Sequence, residues 1–158
     1  QYQKEDFVES LLNIIHKYDV DPDEIELEIT ESILIDDFSA VTEKMQLLKE
    51  YGIRISLDDF GTGNSSLSLA LELPFDELKV DMSFIRDIKQ KPQNQAMVQS
   101  IVDYARRTNT ETCIEGIEDK EVSDYIEKFG STWQQGYYYS KPLPEEEFVE
   151  FLEKADAE

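Results

Sequence analysis

The chain has 158 residues, 40% hydrophobic and 32% charged, which is enough for one domain with its own core and too apolar for a disordered segment. A formal net charge of -21 excludes nucleic-acid binding through a basic surface, DNA included, and means that an anionic ligand would need local help from metal ions or an oriented lysine. A single cysteine, Cys113, excludes an internal disulfide framework and fits a reducing, cytoplasmic compartment, while no apolar run approaches the ~20 residues of a membrane span.

The chain opens at Gln1 rather than a methionine, so a piece of a longer polypeptide is expected. Glu5 to Tyr18 reads as a helix, with Phe7, Leu11, Ile14, Ile15 and Tyr18 at helical spacing and Val8 and Leu12 widening that face. His16, the only histidine, lies off this face and reads as a solvated residue. Asp21-Pro22-Asp23 breaks the helix. Glu24 to Glu31 reads as a strand, Phe38 to Tyr51 as a helix stopped by Gly52, and Ile53 to Asp58 as a second strand. A short helix is expected over Ser65 to Leu71, ended by Pro74. Then come a third strand at Glu77 to Asp81, a helix from Asn94 to Thr108, a fourth strand at Thr112 to Ile117, and a helix from Lys120 to Phe129. A fifth strand is expected over Trp133 to Ser140, and a last helix carries Phe148, Phe151 and Leu152 on one face.

Strands alternating with helices imply parallel pairing with right-handed crossovers. Five such units suit either an open doubly wound sheet or part of a (β/α)8 barrel. The G-x-G-x-x-G phosphate fingerprint is absent, which disfavours a dinucleotide-binding sheet. Strand parity favours the barrel. Glu26 and Glu28 share one face, as do Arg54, Ser56 and Asp58; Glu77, Lys79 and Asp81; Cys113 and Glu115; and Trp133, Gln135 and Tyr137. The opposite parity is mostly aliphatic. A doubly wound sheet would be apolar on both faces, whereas a barrel collects polar residues at the carboxyl ends of its strands.

The stretch Ile53 to Ser66 ends a β-branched run in adjacent carboxylates, Asp58 and Asp59, followed by a loop holding Gly61 and Gly63. Neighbouring carboxylates repel unless a cation or a proton relieves them, so the pair is a candidate metal site; the plainer reading is an acidic turn leading into a helix cap. Glu28, Asp58, Asp59, Lys79, Asp81, Glu115 and Gln135 would converge at the mouth. Carboxylates with one lysine and no histidine or thiolate make a hard, oxygen-rich set that prefers Mg²⁺ or Mn²⁺ to Zn²⁺. Two such ions can activate water and clamp a phosphodiester. The alternative is a polar interior in which Lys79 pairs with Asp81 or Glu115.

The chain resembles the EAL domain, the cyclic-di-GMP phosphodiesterase family, from about Phe7 to Phe151. The motifs are Glu26-Leu-Glu28-Ile-Thr-Glu31-Ser, Leu57-Asp58-Asp59-Phe-Gly-Thr-Gly63, Leu78-Lys79-Val-Asp81, Glu115-Gly-Ile-Glu118 and Gln135-Gly-Tyr, in the family's order. The resemblance implies a TIM-like (β/α)8 barrel that cleaves cyclic-di-GMP to the linear dinucleotide with two Mg²⁺ or Mn²⁺ ions. It implies Glu28, Asp58 and Asp59 as metal ligands, Asp59 on the second ion, and Lys79 on the attacking water or phosphate. Glu115 would be a further metal carboxylate or the base, Gln135 a supporting residue, and Glu31 the holder of the loop Phe60 to Ser66, which the family links to dimerisation. Sensory or GGDEF domains often accompany the family. The Glu-Ala-Leu signature and an asparagine ligand are not in this sequence, so roughly three of the eight strands would lie upstream of Gln1. Asn64 stands where the family usually has an aromatic residue. Two other readings stay open: a cyclic-di-GMP receptor without turnover, and a different Mg²⁺-dependent barrel enzyme that uses Lys79 as a proton-abstracting base.

Overall fold

A computed structural model describes residues 6–30, 38–61 and 72–155. Helix α1 spans Phe7–Tyr18 and stops at Asp19, whose left-handed backbone (φ 52°) accompanies amide bonds back to the last turn. A 3-10 turn, Pro22–Glu24, leads into strand β1, Glu26–Thr30. Helix α2 is Phe38–Glu50 and strand β2 is Arg54–Phe60. Strand β3, Glu77–Val80, runs into a one-turn helix α3, Met82–Ile85, and then helix α4, Pro92–Thr108. Strand β4 is Glu111–Ile114, helix α5 is Lys120–Ile126 with a 3-10 turn Glu127–Phe129, strand β5 is Trp133–Gln134, and helix α6 is Glu145–Ala155.

All strand pairs are parallel, and the sheet order is β1-β2-β3-β4-β5. Every crossover therefore steps one strand in the same direction. A doubly wound sheet would reverse direction at a switch point; this sheet does not, and it is the wall of a barrel. The aliphatic parity supports the same conclusion. Ile29, Ile55, Leu57, Leu78, Val80 and Ile114 are buried with Val41, Met45 and Leu48 of α2, Val98, Ile101, Val102 and Ala105 of α4, and Ile126 of α5. The other parity carries Glu26, Glu28, Arg54, Ser56, Glu77, Lys79 and Cys113, whose register neighbours bring them side by side: Glu28 with Ser56, Ser56 with Glu77, Glu77 with Glu111, and Lys79 with Cys113.

Several expected boundaries move. The fifth strand was expected to run to Ser140 but ends at Gln134, because the backbone at Gly136 presses against Ile117 and then turns, with Tyr139 and Ser140 amides both bonding to the Gly136 carbonyl. Tyr137 is therefore not on the strand. The fourth strand stops at Ile114, since Gly116 (φ 75°) turns the chain away; the Glu115 amide still donates to the Val80 carbonyl at 3.1 Å. On α1, Val8 and Ile15 are buried whereas Ile14 and Tyr18 lie exposed, so its inward face is narrower than the sequence pattern suggested. His16 is exposed, as expected. The helix expected over residues 65–71 lies outside the described residues.

Candidate active site at the carboxyl ends of the strands

Lys79 is the hub. It sits on β3 between two paired strands, and only 5% of its surface is exposed. Its Nζ donates to Glu28 Oε1 of β1 at 2.5 Å, lies 2.9 Å from Glu115 Oε1 just beyond β4, and is 3.7 Å from Asp58 Oδ1 of β2. Burial works against the ammonium. The hydrogen bonds to Glu28 and Glu115, with the charges of Glu115 and Asp58, outweigh it and hold the Lys79 pKa above the ordinary lysine value. The lysine is charged at any physiological pH.

Asp58 reaches the hub by ordinary alternation along β2, and an irregularity follows it. Leu57 pairs with Leu78 and Phe60 with Val80, so three steps along β2 match two along β3. The extra residue is a β-bulge, with Asp59 in the left-handed region (φ 57°). Both carboxylate residues thus face the single step that contains Lys79. The Asp59 amide donates to Asp58 Oδ1 at 2.9 Å, which fixes the orientation of the Asp58 carboxylate. The bulge also changes the parity of the strand, so Phe60 is buried alongside Ile55 and Leu57. Beyond it, Gly61 (φ 92°) brings the backbone against Phe84 and Met97.

Not every expected residue joins the cluster. Asp81, on the same parity as Lys79, instead accepts from the Ser83 amide at 3.0 Å and caps α3. The expected Lys79–Asp81 pair does not form, whereas the Lys79–Glu115 pair does. Glu118 is exposed and lines a separate cleft with Met82, Arg86 and Lys89. Gln135 follows β5, its amide bonded to the Ile114 carbonyl and its Oε1 3.9 Å from the Cys113 thiol. Burial and the nearby Glu77 and Glu115 carboxylates push that thiol up to about 12, so Cys113 is no nucleophile. Glu31 and Gly63 lie outside the described residues.

A second polar group lies at the opposite, amino-terminal end of the same face. Arg54 donates to Glu26 at 3.2 Å and to Glu111 at 2.5 Å, and Trp133 Nε1 reaches Glu111 at 3.5 Å. Glu77 stands among them, buried. Parity placed Glu26, Arg54 and Glu77 on this face, but nothing local in the sequence revealed that the chain brings Glu111 to them.

The donor chemistry at the hub, all carboxylate oxygens, fits a hard divalent cation. The oxygens are nevertheless arranged around Nζ, and among the described residues no three carboxylates, thiols or imidazoles group as a metal cage.

A one-directional parallel sheet with an acid-lysine cluster at its carboxyl ends defines a barrel-type domain with its candidate site at the mouth. A family model described as "EAL domain" matches residues 1–142, and this chain belongs to the EAL domain family. It is 34% identical over 148 residues to the cyclic di-GMP phosphodiesterase PA2567 of Pseudomonas aeruginosa, an alignment covering 94% of this chain and 25% of that protein. The PaMucR phosphodiesterase, solved in complex with c-di-GMP, superposes with a TM-score of 0.88 at 32% identity over 93% of this chain and 60% of that one. A manganese and cyclic-di-GMP complex of Klebsiella pneumoniae BlrP1 superposes with a TM-score of 0.83 at 30% identity over 89% of this chain and 36% of that one. The chain spans about a fifth of the length of the first curated relatives it matches. Other relatives carry names that include an oxygen sensor and a bifunctional diguanylate cyclase/cyclic di-GMP phosphodiesterase. No helix among the described residues is long and apolar enough to cross a membrane.

Proposed function

We propose that this chain is the carboxyl-terminal portion of a cyclic-di-GMP phosphodiesterase domain that hydrolyses the cyclic dinucleotide to linear 5'-pGpG in bacterial second-messenger signalling. The observation that carries the reading is the buried Lys79 ammonium shared by Glu28, Glu115 and Asp58 at the sheet's carboxyl ends. Support comes from the complexes of EAL-domain relatives with c-di-GMP and manganese.

Glu28, Asp58, Asp59 and Glu115 would hold the divalent ions, two Mg²⁺ or Mn²⁺ with Asp59 on the second, which would supply Lewis acidity and a water of lowered pKa. Water attacks phosphorus, the bond to the 3' oxygen breaks, and the proton goes to that leaving oxygen; the product carries a 5'-phosphate and a free 3'-hydroxyl. Lys79 donates a hydrogen bond to the attacking or a phosphate oxygen, Glu115 is a candidate base, and Gln135 supports the cluster from just beyond β5. Gly61 starts the loop beyond β2 and Asp81 fixes the turn after Lys79, while Glu118 lies in the separate cleft. The site works within a longer cytoplasmic polypeptide, as a homodimer coupled to sensory or GGDEF domains.

The test is hydrolysis of cyclic-di-GMP by the full-length protein with Mn²⁺, read as 5'-pGpG by chromatography. Activity abolished in Asp58→Asn supports the reading; no product from the unmodified protein, or undiminished product from the variant, refutes it.

A receptor without turnover is the second reading. It is favoured by the arrangement of the described carboxylates around an ammonium rather than a metal cage. Binding of cyclic-di-GMP with no product in Mn²⁺ would establish it.

A further inference from the structure

Three carboxylate groups converge on one buried ammonium, and that ammonium stands where their shared focus lies. Glu28, Glu115 and Asp58 approach Nζ to 2.5, 2.9 and 3.7 Å, from three different strands or strand ends. Without a cation there, three carboxylates this close would repel one another and the inner face would open. Arg54, the other cation on this face, is bonded to Glu26 and Glu111 and does not serve the cluster.

We propose that Lys79 is the resident counter-ion of the carboxylate cluster, and that a divalent metal loads by displacing its ammonium from Glu28 and Asp58. The inference rests on the phosphodiesterase reading for the identity of the cation. The argument is electrostatic and geometric. A divalent ion that drew on the same oxygens would lie within a few ångströms of Nζ, and a cation at that separation from a buried ammonium is strongly repelled. The lysine head is a point charge on a flexible four-carbon stem, so it can leave one set of oxygens without moving β3. Glu28 provides the route: its side chain is 55% exposed while Lys79 is buried, so the incoming ion meets Glu28 first and competes there with the shortest of the three lysine contacts. Metal affinity is then the balance of an exchange. The lysine stabilises the metal-free protein and weakens metal binding by the same interaction.

Lys79→Met in the full-length protein separates the alternatives, since methionine keeps most of the stem and none of the charge. Mn²⁺ binding is followed by the loss of its free electron paramagnetic resonance signal, and stability by the thermal midpoint in EDTA and in saturating Mn²⁺. The variant is expected to melt lower in EDTA, to bind Mn²⁺ about tenfold more tightly or better, and to gain more from Mn²⁺ than the unmodified protein does. An affinity equal to or weaker than that of the unmodified protein overturns the proposal while leaving the phosphodiesterase reading intact. Failure of both proteins to bind Mn²⁺ overturns both. A measurement on the unmodified protein guards against a variant that does not fold: the Lys79 ¹⁵Nζ resonance must shift on addition of diamagnetic Mg²⁺, and a resonance unmoved at saturating Mg²⁺ overturns the exchange.

Discussion

Glu77 on β3 stands directly across from Glu111 on β4, and Arg54 gives its hydrogen bonds to Glu111 and Glu26 rather than to Glu77. Burial, followed by the Glu26 and Glu111 charges, pushes Glu77 up to about 7, against the opposing pull of Arg54 and Lys79. The folded protein therefore holds a proton on Glu77 where the unfolded chain has lost it. That stability is complete below the unfolded carboxylate value, about 4.5, and falls as pH rises to about 7. A fall of roughly 3 kcal/mol at most is expected over this window. Urea unfolding at several pH values checks it: Glu77→Gln should lose this component of the pH dependence.

Gly136 has no room for a side chain. A Cβ there would fall on the backbone carbonyl and amide of Ile117, which cannot rotate away. Gly136→Ala is expected to cost about 3 kcal/mol or more, measured by chemical denaturation, because either Ile117 or the Gln135 backbone must shift. A loss below about 1 kcal/mol would mean that the close approach relaxes freely.

Asp76 joins three elements at the amino-terminal end of the sheet. Its carboxylate takes the Lys49 ammonium of α2 at 2.5 Å and the Ile55 amide of β2 at 3.0 Å, while its own carbonyl accepts from the Glu111 amide at 2.9 Å. Asp76→Ala should cost about 2 kcal/mol, since the Ile55 acceptor and the ion pair go together. Asp76→Asn should cost less, because the amide oxygen can still accept from Ile55. Equal losses in the two variants would show that the ion pair, not the backbone bond, dominates.

Leu78 is fully buried between the sheet and the helices. Leu78→Ala should destabilise by about 2–5 kcal/mol in the same assay, from lost burial and the cavity it leaves. The residue precedes Lys79, so its loss is also expected to loosen the hub, seen as a smaller stabilisation by Mn²⁺ under the phosphodiesterase reading.

The hub was legible because alternation and parallel register are simple rules. Glu28, Asp58 and Lys79 share a parity on successive strands; Glu28 is level with Ser56 and Asp58 with Thr30, and the long lysine side chain spans that offset. What was not legible depends on departures from those rules. The bulge that puts Asp59 in the left-handed region needs a mismatch between two strands, which neither strand's sequence states alone. The brevity of β5 comes from Gly136 meeting Ile117, a contact between separated segments. Asp81 looked like a mouth carboxylate by parity, but the chain had already left the strand; the Asp81-Met82-Ser83 spacing, with a carboxylate two residues ahead of a free amide, was the available sign of a cap. The Lys49–Asp76 and Arg54–Glu111 pairs span 27 and 57 residues and leave no local trace.

The unbroken strand order has a consequence for how such a sheet is made. Among the described residues, each strand after β1 pairs backward with the strand immediately before it in the chain. A ribosome delivering this polypeptide offers each of β2 to β5 to the edge made just before it, and none of these four must wait for a distant partner. Lys79 arrives on the third of these strands, after Glu28 and Asp58 and before Glu115, so two acidic strands are made before their cation.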